Sequence, residues 1–279
     1  MVGSSYLETL MKWKEKEGLS GILTLRNSTF LSPLMIMKNI QRDLYLFCDE
    51  QADGTYKFTF KSTAHENEAV NKDGWQDHFI GELAFVENIK PTKIDIAKLK
   101  EKMPNQYNDR HLLTLIDGNN KPILQYSKRW DCKESTHIIE NEWFTKISLP
   151  DVFKDDFSHF FVHPSMFDVA TSCHFIYMKL INSYLPLSYG EVNIYAPFEK
   201  ELYAYTKISL AKPIENQLSF DFQIFNLNGD LVVEVLNYSF IKLSKVSNKS
   251  DLAIKELSID ALEDDILPKE GEQVLDTLL

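Results

Sequence analysis

Apolar and polar positions along the chain follow first a helical period and then a strand period. Near the N-terminus Leu7 and Leu10 recur at helical spacing, with lysines on the opposite face. Ser5 stands three positions before Glu8, as in a capping box, and Gly18 is a suitable helix stop. The pattern therefore predicts one amphipathic helix that ends at Gly18.

After this helix, apolar and polar residues alternate, or aromatic and β-branched residues are enriched, as is typical of β-strands. Asp53-Gly54 between two of these segments indicates a hairpin turn. The connections are too short for crossovers, so the strands are expected to be antiparallel. The predicted strands of this half lie at 19–30, 43–49, 56–62 and 79–86.

The second half repeats this arrangement around a second helix, predicted at 165–184. Asn228-Gly229 is a further hairpin signal. A helix followed by antiparallel strands in each half indicates a duplicated unit. The expected fold is α+β, a double hotdog in which two tandem antiparallel sheets each wrap around a central helix. The strands of this half are predicted at 111–117, 122–130, 136–149, 190–195, 202–210, 218–225 and 231–243.

The duplication also predicts the domain boundaries. The second unit has strands ahead of its helix and the first has none, so we expect the first hotdog to lack its opening strands. Either a shortened chain or a split ancestral gene would explain this difference. The predicted parts are an incomplete N-terminal hotdog at 1–90, a linker at 91–110, a C-terminal hotdog at 111–245, and a solvated tail with a terminal helix at 246–279.

Composition narrows the classes of function. The net charge of −11 argues against nucleic acid and against anionic membranes as partners. No apolar run is long enough for a membrane span, and the N-terminus lacks a secretory pattern. The three widely separated cysteines fit a reducing cytoplasm and form no metal-ligand spacing.

The candidate for chemistry is Asp168, which stands among apolar residues of the second predicted helix. A carboxyl group held against apolar neighbours has a raised pKa and can act as a general acid. The alternative is that Ser165 and Asp168 form a capping pair at the start of the helix. Spacing alone favours the cap.

Several segments together resemble the dehydratase domains of modular polyketide synthases. The most specific is F-V-H-P-S-M-F-D-V-A-T at 161–171, a His-Pro entry followed by the acid. The other segments, in matching order, are 2–8, 75–83, 124–130, 147–150 and 185–190.

The resemblance implies elimination of water from a β-hydroxyacyl thioester carried on the phosphopantetheine of an acyl carrier protein, without a metal or an organic cofactor. It makes Asp168 the acid and a histidine of the first hotdog the base. It also implies neighbouring synthase domains and an end-to-end homodimer. The residues it suggests along the substrate are His163, Pro164, Ser172, Tyr126 and Tyr189.

Three departures from the family pattern bear on activity. The family's base lies in His-x-x-x-Gly-x-x-x-x-Pro, whose final proline matches Val2, so the histidine position falls upstream of Met1. The aromatic-Gly-Pro turn is replaced at Tyr126-Ser127-Lys128, and Ser172 replaces the usual Gln or His. We therefore expect impaired dehydration by this chain.

Two alternatives follow from these departures. One is a non-catalytic double hotdog that binds acyl carrier protein or holds neighbouring modules. The other is a double-bond isomerase or pyran-forming variant, and the retained Asp168 makes the isomerase less favourable. His78 and His163 are possible replacement bases, but both positions are more typical of structural histidines.

Overall fold

The computed structural model describes residues 3–34, 42–63, 74–87, 90–108, 115–116, 122–124, 127–178, 184–209 and 216–242. Its helices comprise four α-helices and two 3-10 helices. The α-helices are α1 (Ser4–Lys16), α2 (Ile96–Lys102), α3 (Pro164–Ser172) and α4 (His174–Met178), and the 3-10 helices cover Lys128–Trp130 and Asp151–Ser158. None of these described helices is long and apolar enough to cross a membrane.

Strands make up most of the described chain. In chain order they are β1 (Ile22–Phe30), β2 (Leu44–Glu50), β3 (Tyr56–Thr63), β4 (Trp75–Val86), β5 (Asn105–Tyr107), β6 (Leu115–Ile116), β7 (Pro122–Leu124), β8 (Lys133–Ile139), β9 (Glu142–Ser148), β10 (Tyr184–Ile194), β11 (Glu201–Ile208), β12 (Gln217–Phe225) and β13 (Leu231–Lys242).

Eleven of these strands form one sheet, in the order β2-β3-β4-β1-β10-β13-β12-β11-β9-β8-β5. The first four belong to the N-terminal unit and the rest to the C-terminal unit and the segment before it. The units meet where β1 pairs with β10 in an antiparallel register from Leu23 opposite Ile194 to Thr29 opposite Ser188. The two hotdog sheets are thus joined edge to edge.

Each unit packs an α-helix against its part of the sheet. In the first, Leu7 and Leu10 of α1 are fully buried, and the ring of Tyr6 lies 4.7 Å from that of Phe60. Gly18 has a positive φ of 65°, which suits the residue after a helix end. In the second unit α3 contacts β9 and β11. This arrangement confirms the predicted α+β double hotdog.

The second half departs from its predicted elements in three places. The single helix predicted at 165–184 is instead two helices, α3 and α4, with a break at Cys173, and Tyr184 already belongs to β10, which pairs with β13. The segment 136–149 forms two strands around Glu140, whose φ is +47°. The end of the strand predicted at 122–130 is the 3-10 helix at Lys128–Trp130. In each case long-range strand pairing or a turn overrode the local residue pattern on which the prediction was based.

The segment predicted as a linker also adds structure to the sheet. It contains α2, and β5 pairs with β8 at the sheet edge. The backbone N–H of Ile94 donates to the carbonyl of Gly229 at 2.9 Å, in the hairpin turn that Asn228-Gly229 predicts. The terminal helix and tail predicted at 246–279 lie outside the described residues.

The capping box predicted at Ser5 and Glu8 is wrong. Glu8 is buried, and its Oε2 accepts the backbone N–H groups of Phe161 and Val162, each at 2.9 Å. Nearby, Ser4 Oγ donates to the carbonyl of Pro164 at 3.0 Å. Helix α1 therefore holds the segment that leads into α3.

Removing this buried acceptor should destabilise the fold. In Glu8→Ala two buried N–H groups lose their partner, so we expect the free energy of unfolding to fall by about 1–3 kcal/mol. Glu8→Gln keeps one acceptor oxygen and should lose less. Urea denaturation measures both changes.

Lys12→Ala is the matched control, because the ammonium group of Lys12 is exposed and lies 3.7 Å from the Glu8 carboxylate. Because the Lys12 side chain is largely solvated while that of Glu8 is buried, this variant should lose less stability than Glu8→Ala, about 1 kcal/mol or less. An equal loss in Lys12→Ala and Glu8→Ala would contradict the role given to the two N–H contacts.

Candidate active site

Asp168 lies in the second turn of α3, which begins at a His-Pro step. His163 is the N-cap residue, and Pro164 occupies the first helical position, where its missing N–H costs nothing. The Nε1–H of Trp130 donates to Oδ2 of Asp168 at 2.8 Å. The Asp168 side chain thus binds a side chain from the 3-10 helix at Lys128–Trp130 and does not cap its own helix.

The surroundings of Asp168 change its acidity. The residue is half-buried, and burial raises the pKa of its carboxyl group from the ordinary 3.8 to about 6. The hydrogen bond from Trp130 favours the charged form and lowers the pKa against this trend. A carboxyl group with such a pKa can hold a proton at moderately acid pH and release it to a substrate.

Two tyrosines and one cysteine lie within the electrostatic range of this acid. Burial raises the pKa values of Tyr189, Tyr238 and Cys132, and the negative charge of Asp168 raises each of them further. The rings of Tyr189 and Tyr238 are 4.4 Å apart. The hydroxyls of these two tyrosines interact electrostatically, yet Tyr189 Oη has no partner at hydrogen-bond geometry among the described residues. These residues stay neutral around Asp168.

His163 takes part in a buried network beside the acid. Its Nε2 lies 3.2 Å from Oδ2 of Asp156, and its Nδ1 lies 3.1 Å from Ser165 Oγ. Burial lowers the pKa of His163, against the opposing effect of Asp156. Arg129 binds Asp156 through two nitrogens, at 2.7 and 3.3 Å, and lowers the pKa of that carboxyl. His163 therefore stabilises the entry to α3.

The other residues suggested for substrate binding are only partly brought together. Ser172 is exposed one turn after the acid, and its hydroxyl donates to the backbone carbonyl of Asp168 at 2.6 Å. Pro164 lies at the helix start, and Tyr189 is buried near the acid. Tyr126 lies outside the described residues. Their contact with substrate stays a prediction.

Two further histidines, His78 and His174, are buried in surroundings typical of a structural role. His78 is buried, with Nε2 at 2.7 Å from Ser62 Oγ and Nδ1 at 3.2 Å from Ser32 Oγ. His174 is enclosed by aromatic rings, the nearest being Phe220 at 4.2 Å, and burial lowers its pKa to about 3. Neither ring forms a hydrogen bond to Asp168 within the described part of the chain.

Sequence reasoning missed the parts that support the acid. Trp130 belongs to a segment predicted as a strand, and Asp156 has no motif around it. Their partners are 38 and 27 positions away for the pairs Trp130–Asp168 and Arg129–Asp156. The aromatic residue at the end of the matched segment 124–130 was the one available signal.

Comparisons with known proteins agree with this architecture. A family model described as polyketide synthase dehydratase N-terminal domain matches residues 121–249. Polyketide synthase PksM of Bacillus subtilis (strain 168) is 22% identical over 254 residues, which cover 84% of this chain and only 6% of that protein.

Solved structures show the same fold. A trans-AT PKS dehydratase domain from Brevibacillus brevis superposes with a TM-score of 0.73 at 16% identity, covering 87% of this chain and 85% of that chain. For the dehydratase domain from the CurJ module of curacin polyketide synthase, the TM-score is 0.70 at 18% identity, with 87% and 83% covered. The chain thus has the double-hotdog fold of polyketide synthase dehydratase domains, and its residues 121–249 match the model of that family.

Proposed function

We propose that this domain removes water from a β-hydroxyacyl thioester to give an enoyl thioester, with Asp168 as the general acid. The observation that carries the proposal is the carboxyl group of Asp168, half-buried on α3, with its pKa raised to about 6. The similarity of residues 121–249 to polyketide synthase dehydratase domains supports the same reaction.

The reaction needs both an acid and a base because hydroxide is a poor leaving group and the α-proton is weakly acidic. The base takes the α-proton, the electron pair forms the double bond, and the bond from carbon to the β-oxygen breaks. Asp168 gives its proton to the departing oxygen, so water leaves. The carboxylate that remains still accepts the Trp130 N–H.

The proposal assigns the acid to Asp168 and does not assign the base to His78, His163 or His174. His78 is bound between two serines, and His163 faces Asp156 and Ser165. His174 has no polar partner within the described residues. The family pattern gives the base to a histidine ahead of α1, as the sequence comparison implies.

The proposed substrate carrier is the phosphopantetheine arm of an acyl carrier protein, and the proposed partners are neighbouring synthase domains and a second copy of the chain. Tyr126, His163, Pro164, Ser172 and Tyr189 are proposed to line the acyl site. A cytoplasmic location is proposed as well, and Cys48, Cys132 and Cys173 support it because all three are free thiols.

Water elimination is tested with a β-hydroxyacyl group loaded on a carrier protein. In line with the impaired dehydration expected from the sequence, we expect slow formation of a product lighter by one water, and a rate lower again by about 10²–10⁴-fold in Asp168→Asn, because the amide cannot donate the acid proton. Mass spectrometry of the carrier measures the product. The control is Asp155→Asn, which changes an exposed acid on the neighbouring 3-10 helix.

The same assay separates the alternatives. Added imidazole can replace a missing histidine base, so a rate that rises with imidazole would show that the base limits turnover. Carrier binding that survives Asp168→Ala, without elimination under either condition, would contradict the proposal and favour a non-catalytic scaffold. Movement of a double bond in an enoyl substrate, without water loss, would favour an isomerase.

The raised pKa of Asp168 also predicts how stability depends on pH. Between pH 3.8 and about 6 the folded chain binds more protons than the unfolded chain at this site, so the free energy of unfolding falls as pH rises through that window. Asp168→Asn has no such titration. At neutral pH we expect it to be more stable than the wild type by about 1–3 kcal/mol.

Urea denaturation at several pH values measures this difference. The gain in Asp168→Asn should shrink as pH falls from about 6 and disappear below about pH 3, where the wild-type acid is protonated in both states. Asp155→Asn should follow the wild-type pH dependence. Parallel curves for the wild type and Asp168→Asn would show that Asp168 does not titrate in this window.

A further inference from the structure

We infer that Trp130 is the positioning residue of the acid, and that it leaves Oδ1 of Asp168 as the oxygen that carries the proton. The inference rests on the proposed function only where it assigns that proton to the substrate. The structural observation behind it is the hydrogen bond of 2.8 Å from Trp130 Nε1 to Asp168 Oδ2.

The chemistry of the two groups decides which oxygen is protonated. An indole N–H can donate a hydrogen bond and cannot accept one. Oδ2 of Asp168 must therefore offer a lone pair to Trp130 in both protonation states. In a neutral carboxyl group the carbonyl oxygen is a stronger acceptor than the hydroxyl oxygen, so Oδ2 is the carbonyl oxygen and the proton belongs on Oδ1.

No described residue competes for Oδ1. The nearby hydroxyls on α3 are both engaged with backbone carbonyls. Thr171 Oγ1 donates to Phe167 at 2.9 Å, and Ser172 Oγ donates to Asp168 at 2.6 Å. Within the described part of the chain Oδ1 accepts no hydrogen bond, so it is the carboxyl oxygen available to a substrate.

The residue before Trp130 fixes the backbone that carries the indole. The guanidinium of Arg129 is held by both carboxylate oxygens of Asp156 and lies 4.3 Å from the ring centre of Phe153. The carbonyl of Arg129 accepts the hydroxyl of Ser165, in the first turn of α3, at 2.9 Å. The 3-10 helix at Lys128–Trp130 is thus hydrogen-bonded to α3, the helix that carries Asp168.

The titratable groups that face Asp168 do not ionise in the same pH range, so the ionisation of Asp168 can be followed separately. Cys132, Tyr189 and Tyr238 have pKa values raised by burial, and they stay neutral through the range in which Asp168 ionises. His163 lies on the same helix but faces Asp156, and burial lowers its pKa. A change in the Trp130 signal that Asp168→Asn abolishes therefore reports on Asp168.

The test uses the indole N–H resonances of the ¹⁵N-labelled chain, which has four tryptophans. Single Trp→Phe variants assign the resonances. We expect the Trp130 resonance to shift with a midpoint near pH 6, the value to which burial raises Asp168, and to stay constant in Asp168→Asn. The resonance of Trp143 is the control, because its Nε1 is buried and has no hydrogen-bond partner among the described residues.

A second readout follows the carboxyl carbon of Asp168 by ¹³C NMR. Trp130→Phe removes a donor that favours the charged form, so the midpoint should rise by about one pH unit, whereas Trp143→Phe should leave it unchanged. A purely structural role for Trp130 would not move this midpoint. A Trp130 resonance that is constant in the wild type, or that shifts equally in Asp168→Asn, would overturn the inference.

Neither readout needs turnover, so the two proposals fail separately. Titration of the Trp130 resonance without any water elimination would support the positioning contact and contradict the dehydratase function. Water elimination that depends on Asp168, with a constant Trp130 resonance, would overturn the positioning role alone.

Discussion

The antiparallel pairing of β1 with β10 is the interaction on which the rest of this structure depends. It joins two sheets that would otherwise each have an open edge, and it places Tyr189 of β10 in the interior shared by both units. Helix α1 then reaches across to the second unit, where Glu8 and Ser4 bind the segment before α3. The position of the acid is therefore set by both halves of the chain.

The site itself reflects a conflict between burial and charge. Burial disfavours the ionised carboxylate of Asp168, and the Trp130 N–H is the one described donor that offsets this cost. A fully solvated carboxyl group ionises near pH 4, whereas burial keeps a fraction of the Asp168 carboxyl groups protonated up to about pH 6 and above. Under the proposed function, the same burial that makes Asp168 a proton donor also lowers the stability of the fold, as is common where active sites hold groups in unfavourable surroundings.

Much of the fold was predictable, because strand and helix periods report directly on which positions are buried. The strands of the first unit, both predicted hairpin turns and the duplicated organisation are present in the structure. The predictions failed where the same local residue pattern is compatible with two different structures. Glu8 had the spacing of a capping box, yet it binds backbone donors more than 150 positions away, at 161 and 162.

The sequence by itself determined the double hotdog and the place of Asp168 within a helix that begins at His163-Pro164. Periodicity and a short motif are local properties, so they can be recognised in the sequence before the fold is known. Only the tertiary structure decided that Trp130 binds this acid, that Ser165 binds Arg129, and that no cap forms between Ser165 and Asp168. Those contacts join residues far apart in sequence, and their geometry exists only after the sheet and helices have packed.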